Sequence, residues 1–214
     1  MRGAFITGTD TGVGKTYFTA FWTRSLRQAG IPALPLKPVS SGDRSDAKTL
    51  YEASEGNLPV EEINPIHYDQ PLAPLAASLI SRQTFPKERL RRHLAQLPSR
   101  YPGPFLVEGV GGWRVPLDKD YGVREWAQEL SLPVVVVARA GLGTLNHVLL
   151  TVDSIRQTSL PVLGIVINLH PFLNDEATRT NPPLVQELTG LPVFILRDQA
   201  PPNPELPPWL CFKT

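Results

Sequence analysis

A chain of 214 residues with a net charge of +1 has room for one α/β domain or two small ones, and at this size it needs no covalent staples. Its one cysteine, Cys211, excludes an internal disulfide framework and a cysteine-based zinc site, and fits a reducing compartment. The N-terminus runs straight into an apolar strand, and the longest greasy run, residues 132–138, is far short of a membrane span. Arg89, Arg91 and Arg92 would spread around a helix as a solvated face, so a soluble cytoplasmic protein with no nucleic-acid or membrane surface is expected.

The first predicted element is the strand Ala4-Phe5-Ile6. It ends in a glycine-rich turn that closes on Gly14-Lys15-Thr16, and a helix follows through Phe18, Ala20, Phe21 and Leu26. Strand, glycine loop and helix in this order make a phosphate cradle. Backbone N–H groups and the helix N-terminus face the anion, Lys15 reaches the terminal phosphates, and the Thr16 hydroxyl can hold Mg²⁺. Gly12 and Gly14 let the backbone turn with positive φ close to the ligand. Where the common G-x-x-x-x-G-K-[ST] spacing has glycine this chain has Thr9; the nearest glycine is Gly8, so the loop is one residue longer.

Gly30 ends the helix. Ala33-Leu34-Pro35-Leu36 reads as a second strand leading into Lys37-Pro38-Val39-Ser40-Ser41-Gly42, and Ser45-Asp46-Ala47 opens a helix with Leu50 and Tyr51. Residues 56–74 read as irregular, followed by helices at about 74–82 and 86–97. Pro104-Phe105-Leu106-Val107 is a strand ending at Glu108, ahead of Gly109-Val110-Gly111-Gly112. A helix near 122–130, a strand at 134–137, a helix near 144–158, a strand at 162–167, a helix near 182–189 and a strand at 193–196 complete the pattern. Five prolines between residues 200 and 208 predict an extended tail.

The strands are continuously apolar, as strands buried on both faces are, and they alternate with helices. The fold class expected is α/β: a single domain over residues 1–214, with a P-loop NTPase-like parallel sheet flanked by helices on both faces. Ligands bind such sheets beyond the carboxyl ends of the strands. Lys15, Lys37, Glu108 and Asn168 all fall there. Glu108 beside a phosphate loop suits Mg²⁺, the alternative being a strand-end residue that meets water. Asp46 suits either a metal or a helix N-terminus. Lys37 suits a second cation on the γ-phosphate, the alternative being a solvated strand end.

These pieces, in this order, resemble the dethiobiotin synthetase family. The segments that carry the resemblance are residues 8–16, Lys37-Pro38-Val39-Ser40-Ser41-Gly42, Ser45-Asp46-Ala47, Val107-Glu108-Gly109-Val110-Gly111-Gly112-Trp113 and Leu142-Gly143-Thr144-Leu145-Asn146-His147. Pro71-Leu72-Ala73-Pro74 and Pro116-Leu117 also fit. The resemblance covers residues 3 to about 168 and includes the long loop; the segment from Val193 into the proline tail departs from it.

The resemblance implies a Mg²⁺- and ATP-dependent ring closure in which CO₂ joins the two amines of 7,8-diaminononanoate, in a homodimer. Carried over, Thr11, Gly12, Val13, Gly14, Lys15, Thr16 and Tyr17 line the phosphates. Lys15 and Lys37 stabilise the carbamate and the transferring phosphate, and Thr16, Asp46 and Glu108 surround Mg²⁺. Gly109, Val110 and Gly111 line the nucleotide site, Ser41 and Thr11 contact the diamine, and Asn168 reads the adenine edge, the alternative being an ordinary turn residue. Gly143, Thr144 and Asn146 of the partner subunit would hold the substrate carboxylate. A DNA- or membrane-positioning ATPase switch is the competing reading; it wants a second lysine where this chain has Asp10.

Overall fold

The computed structural model describes residues 1–169, 175–197 and 206–212. In chain order the elements are β1 (Gly3–Gly8), α1 (Lys15–Gln28), β2 (Leu34–Leu36), β3 (Val39–Ser41), α2 (Ser45–Ala53), α3 (Val60–Ile63), β4 (Ile66–Tyr68), α4 (Pro74–Ser81) and α5 (Lys87–Arg100). There follow β5 (Phe105–Glu108), β6 (Pro116–Asp118), β7 (Tyr121–Gly122), α6 (Val123–Leu130), β8 (Val134–Arg139), α7 (Thr144–Arg156), β9 (Val162–Asn168), α8 (Glu176–Thr189) and β10 (Val193–Leu196). Six strands form one parallel sheet in the order β10-β9-β8-β1-β5-β2.

Side chains alternate across each strand, and both faces of the sheet are covered. Phe5, Val107, Val134 and Val136 pack with Leu90 and Leu94 of α5, Trp126 of α6 and Val148 and Val152 of α7. Ala4, Ile6, Leu106, Val135 and Val137 pack with Phe18, Trp22 and Leu26 of α1 and with Leu210 of the tail. Strand order reverses at β1, between β5 and β8, and the crevice at such a reversal is where this class of sheet takes ligands.

The structure corrects the sequence reading in four places. Residues 56–74 are not simply irregular: they hold α3 and β4, and β4 pairs in parallel with β3. A second small sheet, β6 with β7, was also unforeseen. The last helix starts at Glu176, not near 182, because the Asp175 side chain caps it by accepting from the Thr178 N–H at 2.7 Å, while Pro182 and Pro183 lie inside it. The tail is not wholly extended: Pro208–Leu210 make one 3₁₀ turn between extended Pro207 and Cys211, and proline is tolerated in a first turn, whose N–H groups have no intrahelical partner. The rest of the tail expectation lies outside the described residues. Among the described residues no helix is long and apolar enough to cross a membrane.

Candidate active site

The loop from β1 to α1 has the geometry that its glycines predict. Gly12 and Gly14 have φ of 73° and 92°. A Cβ on Gly14 would stand 2.0 Å from the Asn168 amide nitrogen, so glycine is required there by contact as well as by conformation. Asn168, at the end of β9, donates from Nδ2 to the Val13 carbonyl at 3.1 Å and so braces the loop from behind. Val13 itself is buried in the face covered by α1 and offers the site only its backbone.

The loop opens into a cleft of about 440 Å³ at the carboxyl ends of β1, β2 and β5. Thr11, Gly12, Gly14, Lys15, Thr16 and Tyr17 line it from the loop and α1; Lys37, Ser41 and Asp46 from the β2–α2 stretch; Glu108, Val110 and Gly111 from β5 and its loop. Residues 71–74, at the entry to α4, form its rim with Val115. Gly109 lies just behind, its N–H donating to the Ile6 carbonyl at 2.9 Å, which ties the β5 loop to β1.

At the floor is a knot of charge. Glu108 is fully buried, so it is no strand-end residue meeting water. Its Oε1 accepts from Thr16 Oγ1 at 2.8 Å and from Lys37 Nζ. Lys37 Nζ also pairs with Asp46 Oδ2 at 3.0 Å. Lys37 is 4% exposed, which removes the solvated strand-end alternative. Burial pushes the Lys37 ammonium down, but the charges and hydrogen bonds of Glu108 and Asp46 outweigh it and hold its pKa above the usual lysine value.

Lys15 has no such partner. Its Nζ donates to the Asp10 carbonyl at 2.9 Å. Burial first, and the neighbouring Lys37 charge second, push it down to about 8, against the pull of Glu108, Asp46 and Asp10. The site thus holds one cation neutralised by carboxylates and one that an anion would neutralise.

The residues present fit a magnesium ion. Glu108 Oε2 is buried without a hydrogen-bond partner among the described residues, beside the Thr16 hydroxyl and the half-exposed Asp46 carboxylate. Among the described residues no cluster of three His, Cys, Asp or Glu could hold a metal alone. Mg²⁺ does not require such a cluster, since it keeps waters and binds through one or two carboxylates together with substrate phosphates. The Ser41 hydroxyl is likewise buried without a partner among the described residues, inside the cleft.

Gly143, Thr144 and Asn146 do not reach this cleft. Gly143 has φ 90° and caps α7, the Thr144 hydroxyl is spent on the Arg139 carbonyl at 2.5 Å, and Asn146 is exposed. Residues that the sequence reading gave no role include Ser40, on the cleft wall, and Asn64 behind it; the available signal for Asn64 was the Asn64-Pro65 turn dipeptide between Ile63 and Ile66.

Residues 2–201 match a family model described as an AAA domain. The chain is 36% identical over 199 residues to an ATP-dependent dethiobiotin synthetase of Endomicrobium trichonymphae, covering 91% of this chain and 92% of the relative. It is 42% identical over 193 residues to that of Anaeromyxobacter dehalogenans (strain 2CP-C), covering 88% and 86%. The chain belongs to the dethiobiotin synthetase family. Membership makes it an ATP-dependent ligase of biotin biosynthesis, and the family resemblance read from the sequence is borne out.

Among solved structures, a ParA family ATPase from Chlorobium tepidum TLS superposes with a TM-score of 0.52 at 15% identity, covering 92% of this chain and 83% of that one. The signal recognition particle 54 kDa protein from Aeropyrum pernix K1, in complex with GDP, gives 0.55 at 14%, covering 94% and 42%. These two share this chain's fold.

Proposed function

We propose that residues 1–214 act as a single domain that closes 7,8-diaminononanoate to dethiobiotin with CO₂ and MgATP, releasing ADP and phosphate in the cytoplasm. The observation that carries this reading is the charge knot on the cleft floor. Lys37 and Lys15 lie beside one another, with Glu108 and Asp46 on Lys37, and among the described residues no histidine lines the cleft. Two fixed cations suit an anionic carbamate and a transferring phosphoryl group, a reaction that needs positioning and charge neutralisation more than covalent catalysis.

In this reading one amine takes up CO₂ as a carbamate, whose oxygen receives the γ-phosphoryl group. The second amine then attacks the activated carbonyl and phosphate leaves. Lys15 and the backbone of residues 11–17 hold the phosphates, and Lys37 faces the oxygens that gain charge. Thr16, Asp46 and Glu108 would hold Mg²⁺, which neutralises phosphate charge when bound. Ser41, with its unpartnered hydroxyl, and Thr11 receive the diamine, and Val110 and Gly111 wall the nucleotide side. Asn168 is assigned to the base end of the nucleotide. Gly143, Thr144 and Asn146, outside their own chain's cleft, are assigned to the substrate carboxylate in the partner's cleft.

Phosphate release is the test, measured with the diamine and bicarbonate together and with each omitted in turn. The reading expects release only with both. Equal release without the diamine would replace it with an ATPase switch.

A further inference from the structure

Lys37 stands where the chain leaves the main sheet. β2 ends at Leu36, β3 starts at Val39, and Pro38 can donate no hydrogen bond. Among the described residues no backbone N–H donates to the Lys37 carbonyl, and a buried carbonyl needs a donor. Asn64, fully buried between α3 and β4, supplies it: Nδ2 donates to the Lys37 carbonyl at 2.7 Å and to the Ile66 carbonyl at 3.2 Å. With both amide protons so used, Oδ1 is the atom that faces Ser40, and it accepts from Ser40 Oγ at 3.0 Å. The single Ser40 proton is then committed, so the 3.0 Å contact with His67 Nδ1 runs the other way, from the ring N–H to the hydroxyl.

This network also settles what Ser40 is not. A serine beside a histidine in a cleft wall suggests a nucleophile, but a hydroxyl whose proton points at an amide oxygen is not activated by that histidine. The polar atoms serve position instead. The Lys37 N–H donates to the Ile63 carbonyl at 2.9 Å, and the Ile66 N–H donates to the Pro38 carbonyl at 3.1 Å. Residues 63–68 thus grip residues 37–41 from both sides, with Asn64 at the centre of the grip.

We infer that Asn64 is a positioning residue for the ligase reaction: through the Lys37 carbonyl it fixes the backbone from which the Lys37 ammonium reaches the phosphoryl and carbamate oxygens. The inference rests on the role given to Lys37 above. Asn64 is fully buried and does not line the cleft, so its effect on the reaction must pass through Lys37.

The test is a kinetic double-mutant cycle with nucleotide binding as the second readout. Asn64→Ala should lower kcat about 10- to 100-fold, the scale of a misplaced reacting group, while ADP affinity stays within about twofold. In a Lys37→Ala background the same change should cost less than about twofold more, because the residue it positions is gone. If Asn64→Ala does not fold, Ser40→Ala removes one arm of the same network and should show the same split and the same non-additivity at smaller amplitude. Losses that multiply in the Lys37→Ala background, or ADP affinity falling in step with kcat, overturn the inference. A Lys37→Ala enzyme with near-normal turnover would instead overturn the role of Lys37, whatever Asn64 does.

Discussion

Lys15 and Lys37 share one cleft floor, and burial acts on both, yet only Lys37 is paired directly with carboxylates, whereas Glu108, Asp46 and Asp10 act on Lys15 without outweighing its burial. Lys15, pushed down to about 8, gains its anion when polyphosphate arrives, and its pKa then rises. The sign follows. Above about pH 8 more than half of the free protein carries neutral Lys15, so nucleotide binding takes up a proton and affinity declines as pH rises. Calorimetry of ADP binding at pH 8.5 in two buffers of different ionisation enthalpy should show this uptake, and Lys15→Met should abolish it; equal uptake in both proteins would remove Lys15 as the titrating group. In turnover, Lys15→Ala and Lys37→Ala should each cost about 10²–10³-fold, the scale of a lost preorganised charge contact in a transition state. Steady-state rates on folded variants check this. Glu108→Gln should raise the Mg²⁺ concentration needed for half-maximal activity by roughly tenfold or more, since hard cations prefer charged oxygen. An unchanged Mg²⁺ titration would confine Glu108 to pairing with Lys37 and Thr16.

At the scale of elements, the two faces of the sheet are covered unequally. One face carries helices α5, α6 and α7; the other carries α1 and the tail. Leu210 is fully buried there, its carbonyl accepts from Trp22 Nε1 at 2.8 Å, and the Phe212 ring stacks on Trp22 with centroids 5.7 Å apart. Trp209 lies over Gly164, where a Cβ would stand 2.9 Å from the indole. The tail therefore completes a core layer and holds the helix that opens with Lys15 and Thr16. Leu210→Ala should lower stability by about 2–5 kcal/mol, as deletion of a buried leucine side chain does, read as a lower urea midpoint with unchanged slope. A midpoint equal to that of the parent would mean that the tail adds nothing to the core. The six main strands were legible in the sequence because burial on both faces leaves unbroken apolar runs, and the phosphate loop because its glycines are dictated by φ. The grip of residues 63–68 on residues 37–41 was not. Strands of three residues beside prolines carry no periodicity, and an asparagine that serves a distant carbonyl looks like a turn residue. The start of α8 was hidden by Pro182 and Pro183, which outweigh a lone Asp175 cap when only neighbours in sequence are visible.

At the scale of the whole molecule, the site residues divide between two places on one chain. Lys15, Lys37, Ser41, Asp46 and Glu108 share a cleft, whereas Gly143 and Asn146, proposed for the substrate carboxylate, face outward at the start of α7. Leu142, just before α7, is 89% exposed, and Leu150 within it is 63% exposed. A helix N-terminus carries roughly +0.5 charge and can hold a carboxylate without an arginine, but in the proposed dimer it does so only in the other subunit's cleft. Shared sites have a consequence that separate sites do not. A Lys37→Ala chain and an Asn146→Asp chain are each expected to be weak alone, the second because it sets a negative charge where the carboxylate would sit. In the mixed dimer one site collects both changes and the other collects neither. Random subunit exchange should then restore about a quarter of the unmodified activity from two weak parents, with the recovery tracking the fraction of mixed dimers seen by native mass spectrometry. If mixed dimers form and activity stays at the average of the parents, each chain builds its own site, and the roles of Gly143, Thr144 and Asn146 should be withdrawn while that of the cleft stands.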